Sequence, residues 1–281
     1  MMKGLKTMIA KNISILKKSL RVFCFGTLFC LPAWATNIII GGTGNALGTM
    51  RIMADAYQLQ HPDVKITVLP SIGSSGAIKA IPKGKIDIGL SSRPLKDNES
   101  ALGAISIEYA RTPTVIAMSN RSSNTDISTN DLINIYSGKV TEWDNGEFIR
   151  PVTRQANDDN TKQLKRLSAE LKSAMEKIDQ HSKFLFASTD QEAVDLIEKA
   201  QGSFGVTSLA LILSEKRPIH ALKLNGIAPT PEACISGEYP IIKSFYFILP
   251  QQLPLHVKAF LDFVESEQGK DILTDNGNYP I

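Results

Sequence analysis

Short β-branched runs that stop at glycine-rich turns, each followed by apolar residues at helical spacing, recur through the first half of the chain. The first is Asn37-Ile38-Ile39-Ile40, closed by Gly41-Gly42-Thr43-Gly44-Asn45, with Met50, Met53, Ala54 and Tyr57 beyond it. This predicts strand, turn and helix in that order. Val64 to Leu69 predicts a second strand, Ser71 to Gly76 a turn, and Ala77 to Ile81 a short helix. Ile86 to Leu90 predicts a third strand, closed by Ser91-Ser92-Arg93-Pro94. Alternating strands and helices imply an α/β sheet that is largely parallel, with the three turns on one edge and ligands at the carboxyl ends of the strands.

The second half is less regular. Thr114 to Met118 predicts a fourth strand, and Ser128 with Asp131 forms a capping pair for a helix over Leu132 to Tyr136, ended by Ser137-Gly138. Arg150 to Arg154 predicts a strand, Thr161 to Leu171 an amphipathic helix, and Gln191 to Ala200 another. Phe204 to Val206 and Phe245 to Leu249 predict further strands, and helices are expected at His256 to Glu265 and Gln268 to Leu273. Two α/β lobes suit this layout better than one sheet of so many strands. The chain is expected to cross near Arg111 to Thr114 and return near Lys243 to Phe247, giving one lobe from 36–112 with 245–281 and a second from 113–244.

The first 35 of the 281 residues differ in character. Lys3, Lys6, Lys11, Lys17, Lys18 and Arg21 stand without an acidic residue before the apolar run Val22 to Leu31, which leads into Pro32-Ala33-Trp34-Ala35. A basic head, a short apolar stretch and an Ala-x-Ala ending predict a secretory signal peptide over 1–35, cleaved after Ala35, with a periplasmic product. Setting those six cations aside leaves 25 Lys and Arg against 28 Asp and Glu, so the formal charge of +3 becomes −3. The basic balance of the whole chain therefore gives no reason to expect a nucleic-acid partner. Cys24 and Cys30 fall in the leader, which leaves Cys234 without a disulfide partner or a nearby histidine to activate it. His61, His181, His220 and His256 are scattered without zinc-ligand spacing, so no metal, cofactor or catalytic residue is expected.

A helix start exposes unpaired N–H groups and the positive end of the helix dipole, so a small polar turn there can hold an anion. Gly73-Ser74-Ser75-Gly76 has those parts: glycines for close backbone approach, and Ser74 and Ser75 as hydroxyl donors. A plain helix cap would use the same serines. Gly42 to Ala46 repeats the logic with Thr43, Asn45 and the Ala46 N–H, without the lysine of a P-loop or the glycine spacing of a dinucleotide site. Ser91 and Ser92 end the third strand on the same edge. Micromolar capture takes about 8 kcal/mol, and one hydrogen bond to a charged group contributes roughly 1.5 to 3, so several donors must converge. Arg154 is the cation expected to join them, because a guanidinium grips an oxyanion with two parallel bonds; a surface arginine paired with an acid is the alternative.

The segments Val68 to Glu99, Ile127 to Gly146, Gly202 to Leu211, Tyr239 to Leu249 and Ala259 to Leu273 carry a resemblance over nearly the whole chain after the leader. The sequence resembles the phosphate-binding proteins of ABC transporters, within the type II periplasmic binding protein superfamily. That resemblance implies a two-lobed α/β fold with the ligand in the cleft between lobes, binding without catalysis, and a small oxyanion, phosphate first, as ligand. It also implies a monomer whose partner is an ABC transporter permease in the inner membrane. Asn45 with Ala46 matches the first ligand loop, Ser74 the serine of the Gly-Ser-Ser-Gly turn, and Arg154 the arginine that opens the second-lobe loop.

Two departures stand out. Phosphate binders of the best-known subtype end the third strand with an aspartate that accepts the proton of hydrogen phosphate, where this chain has Ser92. After the arginine the family has a Ser-Gly-Thr turn, whereas here Arg154-Gln155-Ala156-Asn157-Asp158-Asp159-Asn160-Thr161 keeps Thr161 and places two acids where an anion would bind. Asp159 is expected as a helix cap. The alternatives are that Asp158 or Asp159 replaces the missing proton acceptor, or marks a pocket for a cationic or polyhydroxylated ligand. Rival functions on the same fold are a sensing or surface-interaction protein with a non-phosphate ligand, and a phosphoester hydrolase pairing Ser74 with Asp158 or Asp159.

Overall fold

The computed structural model describes residues 36–178 and 184–281; the leader read at 1–35 and His181 lie outside them. The first six strands are β1 (Thr36–Gly42), β2 (Val64–Val68), β3 (Ile88–Ser91), β4 (Ala104–Ser119), β5 (Asp126–Ile127) and β6 (Arg150–Thr153). The remainder are β7 (Leu185–Phe186), β8 (Ser203–Ser208), β9 (Ile219–Ala221), β10 (Lys223–Leu224), β11 (Ile242–Pro250) and β12 (Tyr279–Pro280). The larger sheet runs β2-β1-β3-β11-β4-β8-β6-β7, with β9 and β12 also paired to β4, while β5 and β10 form a separate pair.

β1 is parallel to β2 and β3, so their carboxyl ends share one edge. β11 runs antiparallel to both β3 and β4, β8 antiparallel to β4, and β6 parallel to β8 and β7. β4 serves two half-sheets: it pairs with β11 from Ala104 to Pro113 and with β8 from Thr114 to Met118. The fold is the two-lobed α/β class that the sequence predicts.

Each half-sheet is covered on both faces, which is why its strands read as nearly continuous apolar runs. Ile38 and Ile40 point to one side, among Met50, Met53, Tyr57 and Phe260. Ile39 points to the other, against Ala77, Ile78 and Ile81. In the second half Ile116 and Met118 pack with Phe204 and Leu132, while Val115 and Ala117 pack with Val194 and Ile197. Side chains buried this fully contribute about 1.5 to 3 kcal/mol each.

Three elements differ from their predicted form. β4 begins at Ala104, well before the predicted Thr114, because Ile105 and Ile107 alternate with polar neighbours and look outward, hiding the strand from an apolar-run search. The single helix predicted over Thr161 to Leu171 is two, Asp159–Lys165 and Ala169–Ile178, separated where the Ser168 hydroxyl accepts from the Leu171 N–H at 3.0 Å. The turn expected at Ser71 to Gly76 is helical over its last four residues, since the helix there starts at Gly73.

Candidate ligand-binding cleft

Helix α1 (Gly44–Gln60) follows β1 and helix α2 (Gly73–Ala80) follows β2, and neither start has a side-chain cap. Gly73 opens α2 at φ +68°, a left-handed conformation that favours glycine. A methyl group on Gly42 would lie 2.0 Å from the Leu90 carbonyl oxygen, so the first turn requires glycine to pass over β3. Ser74 does not cap its helix. Its hydroxyl stands 3.1 Å from the Ser92 hydroxyl and accepts the Ser92 N–H at 3.0 Å, which joins the α2 start to the end of β3. Ser75 is exposed beside it, and Asn45 is buried at the start of α1. Ala46 is also buried, and its N–H is already taken by the Thr43 carbonyl at 3.2 Å.

Across the cleft, Arg154 follows β6 and precedes helix α3 (Asp159–Lys165). Asp158, not Asp159, caps α3: its extended backbone places Oδ1 to accept the N–H groups of Asn160 (3.0 Å) and Thr161 (3.4 Å). A cap must precede the first helical residue, and Asp159 is already inside the helix. Asp158 Oδ2 accepts from Arg154 Nη2 at 3.0 Å, and the same nitrogen lies 3.4 Å from Asp190 Oδ1, at the start of helix α4 (Asp190–Lys199). Asp159 turns inward to Lys243 Nζ and also accepts from Gln163 Nε2 at 2.8 Å. Lys243 sits on β11 with a side chain that is 0% exposed.

Most of these groups line a cleft of about 820 Å³; Ala46, expected as a ligand residue, and Gln163 and Lys243 do not. The structure brings Asn45, Ser74, Ser75, Ser92, Arg154, Asp158 and Asp159 into it, together with Asn160 and Asp190, which the sequence reading missed. Thr161 instead faces a cavity of about 30 Å³ beside Met175 and Val206. The pairing of Ser74 with Asp158 or Asp159 that a hydrolase would use is not made among the described residues. Burial pushes the Asp190 carboxyl above its ordinary range; Arg154 opposes this, Asp158 adds to it, and Lys243 and Asn45 oppose it. On the rim, Arg93, Lys96, Lys162 and Arg166 give the entrance a positive field. Arg93 is held by Glu99 at 2.7 and 2.8 Å, and those bonds lower the Glu99 carboxyl to about 2.

Away from the cleft, burial pushes the Cys234 thiol up to about 12, with Glu232 adding to the shift, so it is not a thiolate at neutral pH.

The two walls touch through α1. A methyl group on Gly44 would stand 2.8 Å from Asp190 Cβ, and Gln191 Nε2 donates to the Gly44 carbonyl at 3.0 Å. Gly44→Val is therefore expected to spread the walls and raise the radius of gyration in small-angle scattering. An unchanged scattering curve would mean that α1 is not held against α4 in solution.

The sequence profile of the PBP superfamily domain matches residues 32–268, and the chain belongs to that superfamily. The phosphate-binding protein PstS of Bacillus subtilis is 22% identical over 252 residues, covering 87% of this chain and 81% of that protein. A phosphate ABC transporter substrate-binding protein from Clostridium perfringens, solved with bound phosphate, superposes with a TM-score of 0.72 at 23% identity, over 88% of this chain and 100% of the other. An ABC-type phosphate transport receptor from Vibrio cholerae gives 0.60 at 21% identity, over 86% and 99%. At these identities the structural likeness establishes the fold.

Proposed function

We propose that this chain is an exported solute-binding protein that captures a small oxyanion, phosphate first, and hands it to the permease of an ABC importer. One observation carries the reading: two helix starts without side-chain caps, three serine hydroxyls and the Arg154 guanidinium converge on one cleft. Fixed N–H dipoles and a guanidinium are the donors that an oxyanion needs, and they require little reorganisation when it arrives. The relatives named above, described as phosphate-binding, support phosphate as the first choice.

The acidic turn does not oppose this as strongly as its sequence suggests. Asp159 is matched by Lys243, and Asp158 is spent on the α3 cap and on Arg154. In this proposal residues 36–112 with 245–281 form one lobe and 113–244 the other, and ligand binding closes them about the strands they share. The change of partner along β4 at Pro113 to Thr114 supports that division. Export through the leader at 1–35 delivers a monomer to the periplasm.

Titration calorimetry of the chain from Thr36 onward against phosphate, sulfate and molybdate tests the reading. Micromolar or tighter phosphate binding is expected, about −8 kcal/mol or better. The absence of heat with every oxyanion would overturn it.

A further inference from the structure

The cleft floor leaves groups of both signs unsatisfied. Among the described residues, Arg154 Nε and Nη1 are buried without an acceptor, and Asn45 Oδ1 and Asn160 Oδ1 are buried without a donor. Asn45 is 2% exposed and Asn160 is 1% exposed, and both line the cleft. The Asn160 amide cannot be turned round to relieve this, because its Nδ2 already faces two acceptors, Asp190 Oδ1 at 3.4 Å and the Val206 carbonyl at 3.3 Å. Asn45 stands near enough to Asp190 to oppose the rise of its carboxyl.

The charge beside the two amides points the same way: Asp158, Asp159 and Asp190 stand against Arg154 and the buried Lys243, an excess of one negative charge beneath a rim whose Arg93, Lys96, Lys162 and Arg166 are positive. A simple inorganic oxyanion would satisfy the arginine but would add negative charge and leave both amide oxygens unmet. An ammonium carries three donors, and three acceptors await it: Asp190, Asn45 Oδ1 and Asn160 Oδ1. The cleft of about 820 Å³ is also roomier than one tetrahedral anion needs.

Resting on the oxyanion reading above and narrowing its ligand, we propose that the cleft takes a zwitterion, a phosphorus oxyanion joined by a short linker to an ammonium. The oxyanion lies on the α2 start, Ser92 and Arg154. The ammonium lies on Asp190 with the two asparagine oxygens.

Competitive calorimetry at neutral pH tests this with four probes: inorganic phosphate, ethylphosphonate, 2-aminoethylphosphonate and phosphoethanolamine. At least one amine is expected to bind about tenfold or more tightly than both amine-free probes, as one charged hydrogen bond implies. The phosphonate and ester arms show which linkage is taken. Asp190→Asn is expected to bring that preference down to about threefold or less. If phosphate binds and neither amine gains over ethylphosphonate, the zwitterion is overturned while the oxyanion reading stands. If no phosphorus compound binds, the zwitterion and the choice of phosphate both fall, and sulfate and molybdate then decide the oxyanion reading. A preference that survives Asp190→Asn would overturn the placement of the ammonium. Should that variant fail to fold, the comparison of amine and amine-free probes on the parent protein decides alone.

Discussion

Arg154→Ala is expected to weaken oxyanion binding by about a hundredfold or more and to destabilise the free protein as well. The first effect follows from losing the Arg154 guanidinium, which is worth at least two charge-assisted bonds to a ligand. The second follows from what Arg154 does without a ligand. Its side chain is 9% exposed and stands between Asp158 and Asp190, themselves 14% and 7% exposed. Removing the cation leaves two buried carboxylates facing each other, and breaking such a pair costs about 3 to 5 kcal/mol. The loss is read as a lower urea midpoint at unchanged slope. Adding Asp190→Asn should restore much of the stability, because it removes one of the opposed charges, but should not restore binding.

The deficit also depends on pH. Because burial holds the folded Asp190 value above the unfolded one, its stabilising contribution is complete below the ordinary carboxylate range and is lost as pH rises through the folded value. Arg154 restrains that upward shift, so its removal raises the folded value further. The destabilisation is therefore larger at neutral pH than in mild acid. A variant that loses binding but unfolds like its parent at every pH would show that Arg154 serves the ligand alone.

What could be read from the sequence follows from how local each signal is. The β1 turn with α1, and the β2 turn with α2, are contiguous, so glycines, serines and apolar spacing lie within a few residues of one another and announce themselves together. The Ser128 and Asp131 box is equally local; Ser128 Oγ accepts the Asp131 N–H at 3.0 Å as predicted. The floor of the cleft is assembled from distant parts. Asp190 opens an ordinary amphipathic helix, and nothing near it in sequence says that Arg154 waits across the turn. Lys243 was the more legible of the two: a lysine inside Ile241-Ile242-Lys243-Ser244-Phe245 is a charge in a strand that is otherwise mostly apolar, and a buried charge demands a partner. The cap is ambiguous in the sequence for the opposite reason. Two adjacent aspartates are locally equivalent, and only the backbone of Asp158, with ψ 144°, separates the residue outside the helix from the one within.

Lys243→Met is expected to cost about 2 to 3 kcal/mol of stability and to lower ligand affinity without touching the ligand. The lysine side chain is completely buried on the strand that returns between the half-sheets, opposite Thr112 of β4. Its partner Asp159 belongs to the first turn of α3, so this pair ties the helix that carries the cleft floor to the shared strands. The cost should sit at or below the lower end for a broken buried pair, because Asp159 is 30% exposed and can regain some water once its partner is gone. Gln163 Nε2 at 2.8 Å and the α3 dipole will still hold it in part. Lys243→Met with Asp159→Asn should recover most of the loss, since removing both charges together leaves neither one unpaired. Asp159→Asn alone should be costlier than its exposure suggests, because it strands a lysine with no route to water. The coupling from this double-mutant cycle, expected between about 1 and 3 kcal/mol, measures the pair directly. A coupling near zero would mean that Lys243 finds another acceptor, and the link between the shared strands and the ligand floor would then rest on Thr114 of β4, whose hydroxyl donates to Gln163 Oε1 at 2.7 Å.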